Sequence, residues 1–232
     1  MNDSSPPILV KKFDYQSVKQ ISLAGKRLYE SPDGSKTPSV TTILNATKDM
    51  RGLMEWRKRV GVKNAQKITT EAAGIGTAMH NNLERFLLGE ERMTDQQPLQ
   101  IKANAMAQKI IDNGLSNVNE VWAIEQALYY PHKYSGTADL IGEYKKQPAV
   151  MDFKQSNKPK KEEWIEDYYL QLGAYSLAHN VVYNSRITQG IVLLCTVDNL
   201  FQDFRIQGEK LEEYQNKFLE KVEQYYHQRN MN

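Results

Sequence analysis

The sequence predicts an α/β domain, with a mixed central sheet flanked by helices and an α-rich N-terminal portion. Three observations predict it. Apolar residues recur at near-helical intervals from residue 50 to residue 113; after Gly114 the period shortens to that of strands through three consecutive segments; and helix, strand, strand and helix follow to the end. At 232 residues the chain fits one sizeable domain, long enough to bury roughly 70% of the surface its unfolded form exposes.

The first regular segment is KRLYESPDGSKTPSVTTIL (26–44), two short strands around a turn at Pro32, Asp33 and Gly34. Ser39 precedes VTTILNAT, where it either caps a helix in the ordinary way or presents free backbone N–H groups to an anion. Residues 50–91 read as helical through Leu53, Trp56, Val60, Ala65 and Ile68, with a break near Gly74 and Gly76 and a new helix from Thr77. On that helix Met79, Leu83, Phe86 and Leu87 form a packing stripe, while His80 and Glu84, four apart, project from one face. A further helix covers 98–113, with Gly114 at its C-terminal cap. VWAIEQALYY (121–130), TADLIGEY (137–144) and PAVMDFKQS (148–156) then read as an antiparallel meander entering the sheet. Helical spacing returns over 162–180, GIVLLCTV (190–197) reads as a buried strand, 201–207 as another, and 208–228 as a closing amphipathic helix.

Composition excludes several classes. Cys195 is the single cysteine, so neither an internal disulfide nor a cysteine-built zinc site is available, and a reducing compartment is expected. No apolar run approaches the ~20 residues of a membrane span, and the opening MNDSSPP lacks the basic and apolar zones of a secretory signal. The expected location is the cytoplasm of a bacterial or phage-infected cell, with a matured organellar form as the alternative; no membrane partner is expected. The net charge of +2 conceals an asymmetry. Residues 1–68 carry 13 Lys and Arg against 6 Asp and Glu, whereas the remainder carry 17 against 22. The first third is therefore a candidate polyanion-facing surface, or a solvated basic face without a ligand.

The chemistry centres on Asp139 in one expected strand and Asp152 in the next, with Lys154 two residues on. Strand period two puts Asp152 and Lys154 on one face, interrupting a run that otherwise wants burial. Two carboxylates brought together repel and are tolerated best when a divalent cation neutralises them. Oxygen ligands suit Mg²⁺ or Mn²⁺, and a nitrogen from His80 would shift the preference towards Mn²⁺. A neighbouring lysine can orient a hydrolytic water and stabilise charge on a phosphodiester.

The ordered set PSVTTIL (38–44), W-R-x-x-V-G-x-x-x-A from Trp56 to Ala65, GTAMHNNLE (76–84), SGTADLI (135–141), MDFKQS (151–156) and QLGAY (171–175) resembles the PD-(D/E)XK nuclease superfamily, in particular its RecB-type exonucleases, over roughly residues 26–225. The resemblance implies a restriction-endonuclease-like core at 71–232, with 1–70 as a DNA-facing hairpin and basic helical region of the same domain. It implies that His80, Asp139, Asp152 and the main-chain carbonyl of Phe153 bind metal, that Lys154, with Asp139 and Asp152, is catalytic, and that Gln171 and Tyr175 lie near the substrate phosphate. Two departures stand out: Asp152 occupies a position where the family often has Glu, and no proline precedes Asp139. Glu84 either holds a metal-bound water or second cation or makes a surface salt bridge. Glu125 either supports the metal's ligands from behind or is an edge-strand residue.

Single-stranded DNA binding needs phosphate neutralisation and flat surfaces for unstacked bases. Trp56 with Arg57, Lys58 and Arg59 is the best local candidate, the alternative being a core tryptophan flanked by surface cations; Lys158, Lys160 and Lys161 would line the cleft exit. The resemblance implies a metal-dependent DNA exonuclease that prefers single strands with a free end, in replication, recombination or degradation. The competing readings are a structure-selective (flap) endonuclease on the same fold, a non-catalytic DNA-end-binding protein, and an RNA-processing nuclease.

Overall fold

The computed structural model describes residues 5–23, 26–93 and 95–230. The first residues of MNDSSPP lie outside the described residues. In chain order the elements are β1 (Ile8–Leu9), β2 (Lys19–Leu23), β3 (Lys26–Glu30), β4 (Lys36–Pro38), α1 (Val40–Thr47), α2 (Arg51–Val60), α3 (Val62–Leu87), α4 (Pro98–Asn113), β5 (Val118–Tyr130), β6 (Tyr134–Tyr144), β7 (Gln147–Ser156), α5 (Glu166–Tyr183), β8 (Gln189–Thr196), β9 (Phe201–Gln207) and α6 (Glu209–Asn230). The central sheet is mixed and six-stranded, in the order β1-β5-β6-β7-β8-β9, and β2, β3 and β4 form a separate small sheet. The α/β architecture expected from the sequence is the one observed.

The meander forms as expected, with β5, β6 and β7 antiparallel, and the chain then crosses over through α5 to place β8 parallel to β7. β8 is buried along its whole length, which is why its sequence is a continuous apolar run rather than an alternating one. Two apolar layers sandwich the sheet. On one face Ile75, Met79, Leu83 and Leu87 of α3, spaced four apart, pack with Met106 and Ile110 of α4 onto Met151, Phe153 and Leu193. On the other face α1, α5 and α6 cover Val150, Val192 and Leu194, with Phe218 and Tyr134 in T-shaped contact, ring centroids 4.9 Å apart. Each such fully buried side chain contributes about 1.5–3 kcal/mol relative to exposure. Between sheet and α6, α5 lies so close to its neighbour that a Cβ on Gly173 would sit 2.8 Å from backbone atoms of Tyr214.

Three expectations need correction. The helical break falls at Gly61, not near Gly74 and Gly76: Gly61 has φ +81°, a conformation L side chains avoid, and it separates α2 from α3. Gly74 stays helical for a packing reason, since a Cβ there would lie 2.8 Å from Leu99 Cδ1, and α3 runs unbroken through the expected start at Thr77. β5 and β6 begin three residues early, because their cross-strand pairing runs from Val118↔Tyr144 to the turn at Tyr130↔Tyr134, and β7 begins one residue early. The short β1 and the alternating β2, which pairs with β3 in register from Lys19↔Glu30 to Leu23↔Lys26, lie in what reads as a polar start.

Candidate active site

The site forms where two strands part. Pairing of β6 with β7 runs from Tyr144↔Gln147 to Leu140↔Met151 and stops there. One residue further in the same register, Asp139 lies across from Asp152, at the fork. On the other side of β6, the pairs Ile124↔Leu140 and Gln126↔Ala138 bracket Glu125 and Asp139, so those two carboxylates are also cross-strand neighbours. Three acids thus occupy one row across three strands. Like charges set directly opposite are destabilising, and this row exists in spite of that cost.

The backbone of Phe153, released by the fork, is used by side chains. Its amide donates to Asp139 Oδ2 at 2.7 Å, and its carbonyl accepts from His80 Nε2 at 2.8 Å. His80 reaches this point from α3, in the opposite layer, and with Nε2 donating, its Nδ1 faces Asp139 Oδ2 at 3.6 Å. Ligand atoms of His80, Glu125 and Asp139 all lie within 4.8 Å of one another. Asp152 is buried, 1% exposed, and forms an ion pair through Oδ2 with Lys154 Nζ at 2.5 Å, while its Oδ1 has no hydrogen-bond partner among the described residues. An orphaned buried carboxylate oxygen beside a nitrogen and two further carboxylates fits a hard divalent cation. The donor set that the geometry brings closest differs from the expected one. Glu125, expected either to support the metal's ligands from behind or to be an edge-strand residue, offers one of the three closest ligand atoms, Asp152 is turned towards Lys154, and the Phe153 carbonyl accepts from His80.

Electrostatics follow from the crowding. Glu125 is pushed up to about 8, first by desolvation among its neighbours and then by Asp139, Glu84 and Asp152, although its side chain still opens to solvent. Asp152 is raised to about 6 because burial outweighs the attraction of Lys154, with Asp139 adding to the rise. Burial pulls the Lys154 amine down, but Asp152 and Asp139 outweigh it and hold the ammonium above its ordinary value. Glu125 also has φ +47°, an uncommon backbone conformation for a residue within a strand.

Two depressions flank this centre. One, of about 320 Å³, is lined by Gly76, Thr77, His80, Asn81, Glu84 and Glu125; here Glu84 faces the same space as His80, as their spacing predicts. The other, about 470 Å³, is lined by Trp56, Ile68, Gln155, Lys158, Lys160 and Tyr168 among others. Trp56 comes to this cleft from α2, a helix with no fully buried residue, whose last turn carries Arg57, Lys58 and Arg59. Arg57 is exposed and is not among the residues lining the cleft. Gln171 Nε2 donates to Tyr175 Oη at 3.3 Å, and Tyr175 is buried against Gly136, where a Cβ would approach its ring to 2.8 Å. Ser39 is not gathered into the site. It is 2% exposed, and its Oγ accepts from the Thr42 amide at 3.0 Å, the ordinary helix cap of the two readings. Tyr168 escaped the sequence reading although it lies three residues before Gln171 and seven before Tyr175, on one helical face.

The fold defines an α/β class, a mixed six-stranded sheet between helices, and the curated relatives that the chain resembles are named exonucleases. No family model matches the chain. Among individual proteins it is similar to mitochondrial genome maintenance exonuclease 1 of Xenopus tropicalis, 26% identical over 210 residues that cover 85% of this chain and 58% of that protein. It is likewise 26% identical to the Homo sapiens protein of the same name over 202 residues, covering 81% of this chain and 58% of the relative. The chain therefore spans a little over half the length of these relatives. A crystal structure provisionally named an exonuclease from Eubacterium rectale superposes with a TM-score of 0.46 at 9% identity, over 67% of each chain.

Proposed function

We propose that this protein is a metal-dependent DNA exonuclease acting on single strands with a free end. The observation that carries the reading is the trio of His80, Glu125 and Asp139 beside the Asp152–Lys154 pair, whose ammonium lies over the ring of Tyr168, a residue lining a basic, aromatic cleft. The exonuclease names of the relatives support it. His80, Glu125 and Asp139 would hold Mg²⁺ or Mn²⁺, with the orphaned Oδ1 of Asp152 adjacent. A divalent ion there supplies Lewis acidity and charge neutralisation for a phosphodiester. Lys154 orients the attacking water and donates a hydrogen bond to the phosphate, and Asp152 keeps that ammonium in place. Lys158 and Lys160 neutralise flanking phosphates while Trp56 offers a face for an unstacked base. Gln171 and Tyr175 back the scissile position from α5, and Arg57 contributes to the outer field.

DNA labelled at either end and incubated with the protein and Mg²⁺ or Mn²⁺ tests the reading. Loss of label as short products from linear single strands, with circular single strands left intact, is expected. Cleavage of the circle makes the protein an endonuclease instead, binding without product removes the enzyme reading, and faster loss of a matched RNA moves the substrate class.

A further inference from the structure

The amine of Lys154 sits between two partners of different kinds. Asp152 Oδ2 holds it from β7 at 2.5 Å, and the ring of Tyr168 lies beneath it, 5.2 Å from Nζ to the ring centroid. That is within the range in which an ammonium is attracted by the electron-rich face of an aromatic ring. Tyr168 is well placed to be a fixed surface. It is the third residue of α5, its amide bonds to the Ile165 carbonyl at 2.9 Å, and the neighbouring Asp167 is tied to Lys48 of the segment after α1. The opposite side of α5 is seated against α6 at Gly173. Tyr168 also lines the basic cleft, so its ring forms part of the wall between that cleft and the amine.

A lysine side chain has four rotatable bonds, and one carboxylate contact leaves it free to swing about that contact. A second hydrogen-bond acceptor would restrain the amine but would use one of its three N–H groups. An aromatic face attracts the cation as a whole and demands no single aligned N–H···O bond, so N–H groups remain to point towards the cleft. The geometry points to Tyr168 as the positioning residue that holds Lys154 for hydrolysis, a role that rests on the nuclease reading above. The ring, not the phenol hydroxyl, does this.

The experiment measures kcat and KM on end-labelled single-stranded DNA with saturating Mn²⁺ for the wild type, Tyr168→Phe, Tyr168→Leu and a protein carrying a fluorinated phenylalanine at 168. Phe should keep kcat within about twofold, Leu should lose about tenfold in kcat with KM nearly unchanged, and the fluorinated ring, of nearly the same shape but with an electron-poor face, should fall between them. A Leu variant as fast as the wild type, a loss confined to KM, or a fluorinated ring as good as Phe each overturns the role. Should the Leu variant not fold, the comparison of Phe with its fluorinated form decides alone. A wild type that cleaves no DNA with either ion removes the nuclease reading and this role with it, whereas cleavage with an indifferent ring removes this role only.

Discussion

The two depressions either side of Lys154 are built from opposite materials. One is lined by His80, Glu84 and Glu125 and is acidic; the other is lined by Trp56, Lys158, Lys160 and Tyr168 and is basic and aromatic. A polyanion enters the second without help and enters the first only where positive charge has been added. The contrast separates two tasks that a nuclease performs, gripping a strand and activating its backbone, and assigns them to different elements. Under the proposed function, grip would come from α2, α5 and the segment after β7, and activation from α3 and the row of acids on β5, β6 and β7.

The largest expected effect falls on the boundary between the two. Lys154→Ala should lower kcat by about 10³-fold while single-stranded DNA binding, read by fluorescence anisotropy, changes little; a variant that cuts at the wild-type rate breaks the assignment. A control must keep global unfolding apart from either pocket. His179, fully buried on α5, has its Nε2 at 3.0 Å from the Tyr15 hydroxyl and its Nδ1 at 2.6 Å from Ser185 Oγ, and burial pulls its pKa down to about 4. The unfolded chain, with a histidine near the ordinary 6.5, binds more protons between these values. The contribution of His179 to stability is therefore complete above about pH 6.5 and declines as pH falls towards 4, by an amount on the order of 3 kcal/mol. In urea unfolding, the stability advantage of wild type over His179→Gln should shrink by that amount from the upper to the lower end of the window, because the raised Glu125 and Asp152 carboxyls act alike in both proteins.

On the acidic side, Glu125→Gln should weaken Mn²⁺ binding, measured calorimetrically without DNA, by about 30-fold. Unchanged affinity would return Glu125 to the role of strand residue and leave the ion to other donors. On the basic side, replacing Lys158 and Lys160 together by Ala should raise KM about tenfold at fixed kcat and make the salt dependence of binding shallower by about 1.4 in log–log slope. A drop in kcat with no change in slope would mean that the two depressions do not divide the labour as their linings suggest.

Much of this was legible beforehand, for identifiable reasons. Helices α3 to α6 and strands β5 to β9 declare themselves through apolar spacing, because each presents one buried face or, in β6 to β8, two. His80, Asp139, Asp152 and Lys154 were legible as an ordered set and converge on one fork. Glu125 was harder to place. Its role depends on the β5–β6 register, which puts it opposite Asp139, and register is a property of two strands that neither sequence segment carries alone. Tyr168 was hidden by chemistry rather than by position, since a tyrosine on a helix that packs against a sheet reads as core. Gly61 as the helix break, in place of Gly74 and Gly76, shows that a glycine's backbone freedom and its lack of bulk leave the same letter in the sequence.

The seam at Gly173 has a wider consequence. Because α5 rests there directly on the backbone of α6, the helix bearing Tyr168, Gln171 and Tyr175 has no slack behind it. One added methyl group on this far side would press on the backbone of α6 and displace the helix that carries these side chains, so under the proposed function an inactivating substitution is expected at a residue remote from both strand and ion.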